Sequence, residues 1–258
     1  MKISIEHNNK NFFIDTSLGV DISIPTDFKN NIGPKFYDKS SPSVNYYKTS
    51  KHEYNLDKNK SCNVPIINLN IHCSGTHTES AKHILKDASP INEVKYPTFI
   101  ACQLISVIPE YSLKEKYHTI IDNNDKLITK EQVMKSLGDN SSFNEGLIIR
   151  TMPNDDSKKN RDYDLEEHPF LTNDAISYIK EIGVKHLIVD IPSIDKYDDG
   201  GKLGNHHIFF INKNSTLTEL AFIPNECKDG KYFLSLNISN FSLDAAPSRP
   251  IIFSATTS

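Results

Sequence analysis

The sequence predicts a mixed α/β fold in which many short strands are combined with few helices. Short apolar segments, several of which alternate with polar residues as strands do, recur from the N-terminus to the C-terminus. Only two segments show the apolar spacing and the end signals of an amphipathic helix. A strand–helix–strand unit is predicted near residues 146–191, as in folds that pack helices against a sheet.

The first quarter of the chain is predicted to contain a hairpin, a strand and a long polar loop. Lys2–Glu6 and Phe12–Ile14 flank an Asn-Asn turn, which is typical of a hairpin. Val20–Pro25 alternates like a strand and ends at its proline. Residues 26–64 are rich in Asn, Asp, Lys, Ser, Pro and Tyr and have weak periodicity. We interpret them as a functional loop, a lid or an interface arm.

The remainder of the chain is predicted to alternate strands with two helices. The first helix covers Thr129–Leu137, because Thr129 and Gln132 are spaced as in a capping box and Gly138 follows as a stop. The second begins after Thr172 and ends at Gly183. The predicted strands are Pro65–Ile71, Phe99–Ile108, Gly146–Thr151, Val184–Ile191, Leu217–Phe222, Tyr232–Ile238 and Pro250–Phe253.

The composition argues against several classes of function. Lys and Arg total 29 against 33 Asp and Glu, a net charge of −4 that does not suit nucleic acid or an anionic membrane as a partner. No segment approaches the roughly 18 apolar residues of a membrane span, and the N-terminus lacks the apolar stretch of a signal peptide. The four cysteines form no C-x-x-C pair. We expect a cytoplasmic protein with one domain over 1–258 and a small-molecule substrate.

Histidines concentrate in two places, and this clustering predicts a metal site. Three of the ten fall within the segment His72–His83, and His206 and His207 are adjacent. Cys73, His77 and Glu79 offer sulfur, nitrogen and oxygen donors within seven residues. That mixture suits zinc, with manganese or iron as the alternative where carboxylates dominate.

A catalytic metal also requires a proton-transferring group and ligands from elsewhere in the chain. An ion with an open coordination position lowers the pKa of a bound water toward about 7. His83 lies four residues after Glu79 and is the expected acid/base. His207 precedes Glu219 by twelve residues and could complete the site. His72 and Cys73 are neighbours on an extended chain, so only one of them should face a single ion.

These residues resemble the motif H-x-G-T-H-x-D-x-P-x-H of the cyclase family of metal-dependent hydrolases, which includes kynurenine formamidase and isatin hydrolase. Cys73–His83 aligns with the motif without a gap, and His207 with Glu219 matches the downstream pair of the family. Further segments that resemble the family are Val20–Pro25, His168–Leu171, Gly183–Asp195 and Pro247–Arg249.

The resemblance implies a swivelling β/β/α fold and a hydrolase that opens an N-formyl arylamide, a cyclic imide or a lactone. It implies His83 as the catalytic acid/base and a homodimer or homotetramer. The metal ligands that it implies are Cys73, His77, Glu79, His207 and Glu219. Two alternatives stay open: a metal-dependent cyclase or dehydratase, and a small-molecule binding protein that retains its metal without turnover.

The chain departs from the family motif at three positions. Cys73 stands where the motif has His, Glu79 where it has Asp, and Ala81 where it has Pro. A thiolate and a longer carboxylate change the softness and the reach of the ligands together, which favours zinc over manganese. His72 lies one residue from the first ligand position and is the alternative to Cys73.

Three further groups have two interpretations each. Arg150 and Thr151 either line the substrate pocket or form an exposed strand end. Asp190 is expected to hold the backbone or a metal-binding histidine. A group of aromatic residues in the polar loop either roofs a pocket for an aryl ring or anchors the loop; its members are Phe36, Tyr37, Tyr46 and Tyr47.

Overall fold

A nine-stranded mixed sheet forms the centre of the protein in the computed structural model, which describes residues 1–30, 32–37, 41–138 and 143–257. The strands are β1 (Lys2–His7), β2 (Lys10–Asp15), β3 (Val20–Asp21), β4 (Ser43–Tyr46), β5 (Pro65–Asn68), β6 (His77–Ser80), β7 (Ile100–Val107), β8 (Glu110–Tyr111), β9 (Lys126–Ile128), β10 (Gly146–Thr151), β11 (Phe170–Leu171), β12 (His186–Val189), β13 (Thr216–Glu219), β14 (Gly230–Ser235), β15 (Ala245–Pro247), β16 (Ile251–Ser254) and β17 (Thr256–Thr257). The α-helices are α1 (Lys130–Leu137), α2 (Asn173–Glu181) and α3 (Gly204–Phe209).

The central sheet has the strand order β15-β6-β13-β12-β10-β7-β14-β16-β3. Its four middle strands, β13, β12, β10 and β7, are parallel, and the outer strands pair antiparallel. Parallel neighbours need a crossover, which α2 supplies between β10 and β12. This confirms the strand–helix–strand unit predicted near residues 146–191.

The middle strands are buried on both faces, because alternate side chains enter two different apolar clusters. Ile149 and Val189 pack on the side of the helices, together with Val133 of α1 and Ile176 of α2. Their neighbours along the strands, such as Ile148, point into the cluster on the opposite face. A period of two residues per strand produces this division.

Both predicted helices form where their sequence signals place them. The Thr129 side chain accepts from the Gln132 amide and the Gln132 side chain accepts from the Thr129 amide, so the capping box is complete. The Thr172 side chain accepts from the amide of Ala175 at the start of α2. Each helix therefore begins at a side chain that satisfies an otherwise unpaired amide.

The segment 26–64 differs from the loop that the sequence predicts. Residues 31 and 38–40 lie outside the described residues, but β4 falls within the segment and pairs antiparallel with β5. The strand predicted over Pro65–Ile71 therefore ends at Asn68, and it joins this exposed two-stranded arm instead of the central sheet. A 3₁₀ turn over Ile71–Cys73 then leads into the motif segment.

The predicted mixed α/β class is confirmed, with strands far outnumbering helices. The hairpin at the N-terminus is also confirmed as β1 and β2. Sequence patterns missed β6 and α3, the two elements that carry most of the clustered histidines. No helix within the described ranges is long and apolar enough to cross a bilayer.

Candidate functional site

The motif strand β6 lies between β13 and β15, and its register sets the centre of the site. His77 pairs with Glu219 of β13 on one side. Because side chains alternate along a strand, His77 and Glu79 point to the same face, where the directly opposite Glu219 also points. All three side chains are buried. The structure therefore brings together three of the five residues that the sequence predicted as ligands.

Gly75 and Thr76 shape the turn that delivers β6 to this position. Gly75 has φ +141°, and a Cβ atom there would lie 2.9 Å from Thr26 Oγ1 and 3.3 Å from the carbonyl oxygen of Ile24. The Thr76 hydroxyl accepts from the Ile24 amide at 2.7 Å and donates to the carbonyl of Leu220. The glycine thus permits a close approach of two segments, and the threonine joins them.

The buried atoms of His77 and Glu79 converge on one another without mutual hydrogen bonds. His77 Nδ1 donates to the carbonyl of Gly75 at 3.0 Å, which leaves Nε2 facing Glu219 Oε2 at 3.6 Å. Within the described part of the chain, His77 Nε2 and both carboxylate oxygens of Glu79 lack a hydrogen-bond partner. Buried polar atoms of this kind are costly unless something else satisfies them.

The second histidine cluster contributes His206, and not the predicted His207. His206 is buried on α3, and its Nε2 lies 3.1 Å from Glu79 Oε1 and 3.7 Å from Glu219 Oε1. Its Nδ1 donates to Asp195 Oδ2 at 2.7 Å. His207 is exposed. Adjacent residues on a helix point about 100° apart, so only one of the two can face the sheet. His206 therefore replaces His207 in the candidate ligand set.

Asp195 is the carboxylate that orients His206. Besides the imidazole, it accepts from the Tyr117 hydroxyl at 2.8 Å and from the amides of Asn205 and His206 at 2.9 and 3.2 Å. Since a carboxylate only accepts, it fixes the proton of His206 on Nδ1 and leaves Nε2 facing the site. Sequence analysis placed Asp195 in the resembling segment but gave it no role.

His72 and His83 lie beside Glu79 and share a second carboxylate, Asp244. His72 Nε2 and His83 Nδ1 lie 3.0 and 3.1 Å from Asp244 Oδ2. Their other nitrogens, Nδ1 of His72 and Nε2 of His83, lie 3.3 and 3.8 Å from Glu79 Oε2. The rings are 4.3 Å apart between centroids. His83 is therefore next to the candidate ligands, as predicted, whereas sequence reasoning missed Asp244.

The carboxylates at the site favour positive charge on the neighbouring histidines. Burial by itself lowers the pKa of His72, but the hydrogen bond with Asp244 and the nearby Glu79 carboxylate outweigh it and raise that pKa to about 10. Burial also lowers the pKa of His206. The Glu79 and Asp195 carboxylates outweigh this effect and raise that pKa well above its usual value. Despite its burial, Glu79 has a lowered pKa because His83 and His206 are close.

A cavity of about 400 Å³ opens onto this cluster. Five residues in or beside this cluster line it: His72, Cys73, His83, His206 and Glu219. The buried Cys73 is thus at the site. Among the described residues, several sets of three potential ligand atoms lie within 4.8 Å of one another, and the Cys73 sulfur belongs to none of them.

Aromatic rings form part of the cavity wall. Phe36 and Tyr37 of the polar loop line it together with Tyr197. The Tyr37 and Tyr197 ring centroids are 4.5 Å apart. Tyr46 lies instead in the β4–β5 arm, and Tyr47 follows that strand and stacks on Tyr54. Two of the four loop aromatics therefore take part in a pocket wall.

Arg150, Thr151 and Asp190 serve the scaffold. Arg150 is buried and donates to the carbonyls of Pro224 and Cys227, so neither interpretation of it as pocket lining or exposed strand end holds. Asp190 accepts from the amide and hydroxyl of Thr151, both at 2.9 Å, and from Lys158 Nζ at 2.8 Å. Asp190 holds the backbone, which is one of its two expected roles.

The residues at the site fit a divalent cation. Imidazole nitrogens and carboxylate oxygens are its common ligands, and both kinds converge here within 4.8 Å, for example in the groups of Glu79 with His83 and His206 and of Glu79 with His72 and His77. The unpartnered atoms of His77 and Glu79 would gain a partner from such an ion. The carboxylates backing the imidazoles match the supporting hydrogen bonds of protein metal sites.

Comparison with known proteins places the chain in a family. The family model Cyclase matches residues 20–196, more than half of the chain. The chain belongs to the cyclase family. A kynurenine formamidase of Bacillus cytotoxicus is 24% identical over 198 residues, which cover 76% of this chain and 82% of the relative. Cyclase-family hydrolases are thus its distant relatives.

Solved structures share the fold at low sequence identity. Isatin hydrolase A from Labrenzia aggregata aligns with a TM-score of 0.64 and 14% identity over 93% of this chain and 94% of that chain. A structure described as a predicted metal-dependent hydrolase from Bacillus stearothermophilus aligns with a TM-score of 0.57 and 17% identity over 91% of this chain and 97% of that chain. The cyclase-family fold expected from the motif is confirmed.

Proposed function

We propose that the protein is a metal-dependent hydrolase that opens an amide or lactone bond in a small molecule, with an N-formyl arylamide or a cyclic imide as the substrate to test first. One observation carries the proposal: buried atoms of His77 and Glu79 that lack hydrogen bonds converge beside His83, which lines a cavity. The kynurenine formamidase and isatin hydrolase relatives support the choice of a carbonyl substrate.

The residues proposed to hold the ion are His77, Glu79, His206 and Glu219. Zinc is the proposed metal, because imidazole and carboxylate ligands suit it, and manganese is the alternative. A divalent ion held there would polarise a carbonyl oxygen and lower the pKa of a water molecule. The Glu219 carboxylate is held in position by the Ile194 amide, which donates to its Oε1 at 3.1 Å.

His83 is proposed to move the proton. Its Nδ1 donates to Asp244, so in the neutral ring the lone pair lies on Nε2, which faces Glu79. A base at Nε2 takes the proton of the attacking water and returns it to the leaving nitrogen or oxygen as the bond breaks. Phe36, Tyr37 and Tyr197 would pack against a flat aryl group of the substrate.

The test combines metal analysis with turnover. The purified protein should contain zinc or manganese and hydrolyse an N-formyl arylamide, a cyclic imide or a lactone. The substitution His83→Gln should keep the metal and lower kcat about 10²–10⁴-fold. His52→Gln, at an exposed position, is the matched control and should change neither quantity. A metal-free protein, or full turnover in His83→Gln, would contradict the proposal.

A further inference from the structure

Two imidazoles of the candidate centre are held in the same way. His77 donates from Nδ1 to the Gly75 carbonyl and turns Nε2 toward Glu219. His206 donates from Nδ1 to Asp195 and turns Nε2 toward Glu79. In both rings an oxygen atom behind the ring fixes the protonated nitrogen, and the other nitrogen faces the carboxylates. Metal-binding histidines in proteins are supported in this manner.

His72 has this arrangement as well, although it lies outside the family motif. Its Nε2 donates to Asp244 Oδ2 at 3.0 Å, and its Nδ1 lies 3.3 Å from Glu79 Oε2. The ring is also 5.1 Å from the ring of His77 between centroids. His72, His77 and Glu79 therefore form one of the groups with ligand atoms within 4.8 Å of one another.

The local backbone explains how a residue one position before the motif reaches the site. Ile71–Cys73 forms a 3₁₀ turn instead of continuing the preceding strand. In an extended chain, side chains at 72 and 73 would point to opposite sides. In the tighter turn, both His72 and Cys73 line the same cavity.

We infer that His72 serves as the metal ligand that the family motif assigns to position 73, and that Asp244 is the positioning residue behind it. This inference rests on the proposed metal centre. Asp244 also accepts from His83, so one carboxylate aligns a ligand and the proposed acid/base. Asp244 precedes β15, the strand that pairs with β6, and this pairing places it next to both rings.

Zinc affinity, measured by competition with a chromophoric chelator, tests the inference without turnover. His72→Ala should weaken zinc binding by more than the upper limit of about 100-fold that is typical of a supporting residue. Asp244→Asn should weaken it about 10–100-fold. Cys73→Ser should leave it unchanged, and so should the control His207→Ala, which removes an exposed imidazole. His72 and Asp244 are partly exposed, so these variants should fold.

Cobalt substitution gives an independent reading of the same question. A thiolate ligand produces a strong near-ultraviolet charge-transfer band in the Co²⁺ protein, and we expect no such band. A band that disappears in Cys73→Ser, or equal zinc affinity in His72→Ala and the wild type, would overturn the assignment of His72. Unchanged affinity in Asp244→Asn would overturn the positioning role. A wild-type protein that binds neither zinc nor cobalt would instead overturn the metal centre and the proposed function.

Discussion

The substitution Asp195→Asn tests whether the carboxylate behind His206 controls metal binding. Asp195 accepts four hydrogen bonds: Oδ1 accepts from the Tyr117 hydroxyl and the Asn205 amide, and Oδ2 accepts from Nδ1 and the amide of His206. An asparagine has one acceptor oxygen and presents an NH₂ group in the other position. At least two of the four donors must therefore lose their acceptor.

The magnitude follows from these contacts. Each buried donor left without an acceptor costs about 1–3 kcal/mol, so the free energy of unfolding should fall by about 2–6 kcal/mol. Asp195 no longer fixes the proton on Nδ1 of His206, so Nε2 is no longer held ready for the ion. Zinc affinity should fall about 10–100-fold, as it does when other supporting carboxylates are removed.

The matched control is Asp190→Asn. Asp190 is also a buried aspartate, but its hydrogen bonds go to Thr151 and Lys158 and not to the histidines. We expect this variant to lose stability without losing zinc affinity. Stability would be followed by urea unfolding, and affinity by chelator competition on samples that circular dichroism shows to be folded. Wild-type zinc affinity in Asp195→Asn, or an equal loss in Asp190→Asn, would refute the reasoning.

Two further predictions concern the scaffold. Gly75→Ala should destabilise the protein more than Gly230→Ala, because both glycines have positive φ (+141° and +147°) but only the Gly75 Cβ would meet neighbouring atoms; equal midpoints in thermal unfolding would contradict this. His168 is buried, which lowers its pKa from 6.5 to about 4, so the folded state binds fewer protons than the unfolded state between these pH values. The free energy of unfolding should therefore be unaffected by His168 above pH 6.5 and fall by up to about 3 kcal/mol toward pH 4. The variant His168→Gln should show a smaller fall when urea unfolding is measured at several pH values.

Sequence patterns predicted the apolar strands and capped helices well because these elements depend on local signals. Gly146–Thr151 forms a strand with the predicted bounds, and α1 begins after its capping box. β6 escaped prediction because its four residues are polar although all are buried. Their polarity is satisfied by long-range partners, as when the Thr78 hydroxyl bonds those of Thr218 and Ser248. A lone sequence shows no trace of these partners.

The members of the candidate site could be named from the sequence where they are close in the chain, but not where the fold brings distant residues together. His77, Glu79 and His83 were named from one segment, and the structure places them near one another, while their roles stay predictions. His206 was missed because a spacing of twelve residues to Glu219 favoured His207, although Phe209 and Phe210 mark the buried face of α3 three and four residues after His206. Asp244 lies 161 residues from His83, and no local pattern connects the two.

The position of β6 between β13 and β15 has a consequence for the order of assembly. Thr78 and Thr218 are neighbours in the sheet but 140 residues apart in the chain. An ion held by both β6 and β13 could not initiate folding at the motif segment alone. Most of the chain must first be synthesised, and the two strands must pair. It would bind the finished sheet and draw the equilibrium toward it by mass action. Chelation should then free β6 and β15, at one end of the sheet, to exchange their amide hydrogens sooner than the central parallel strands.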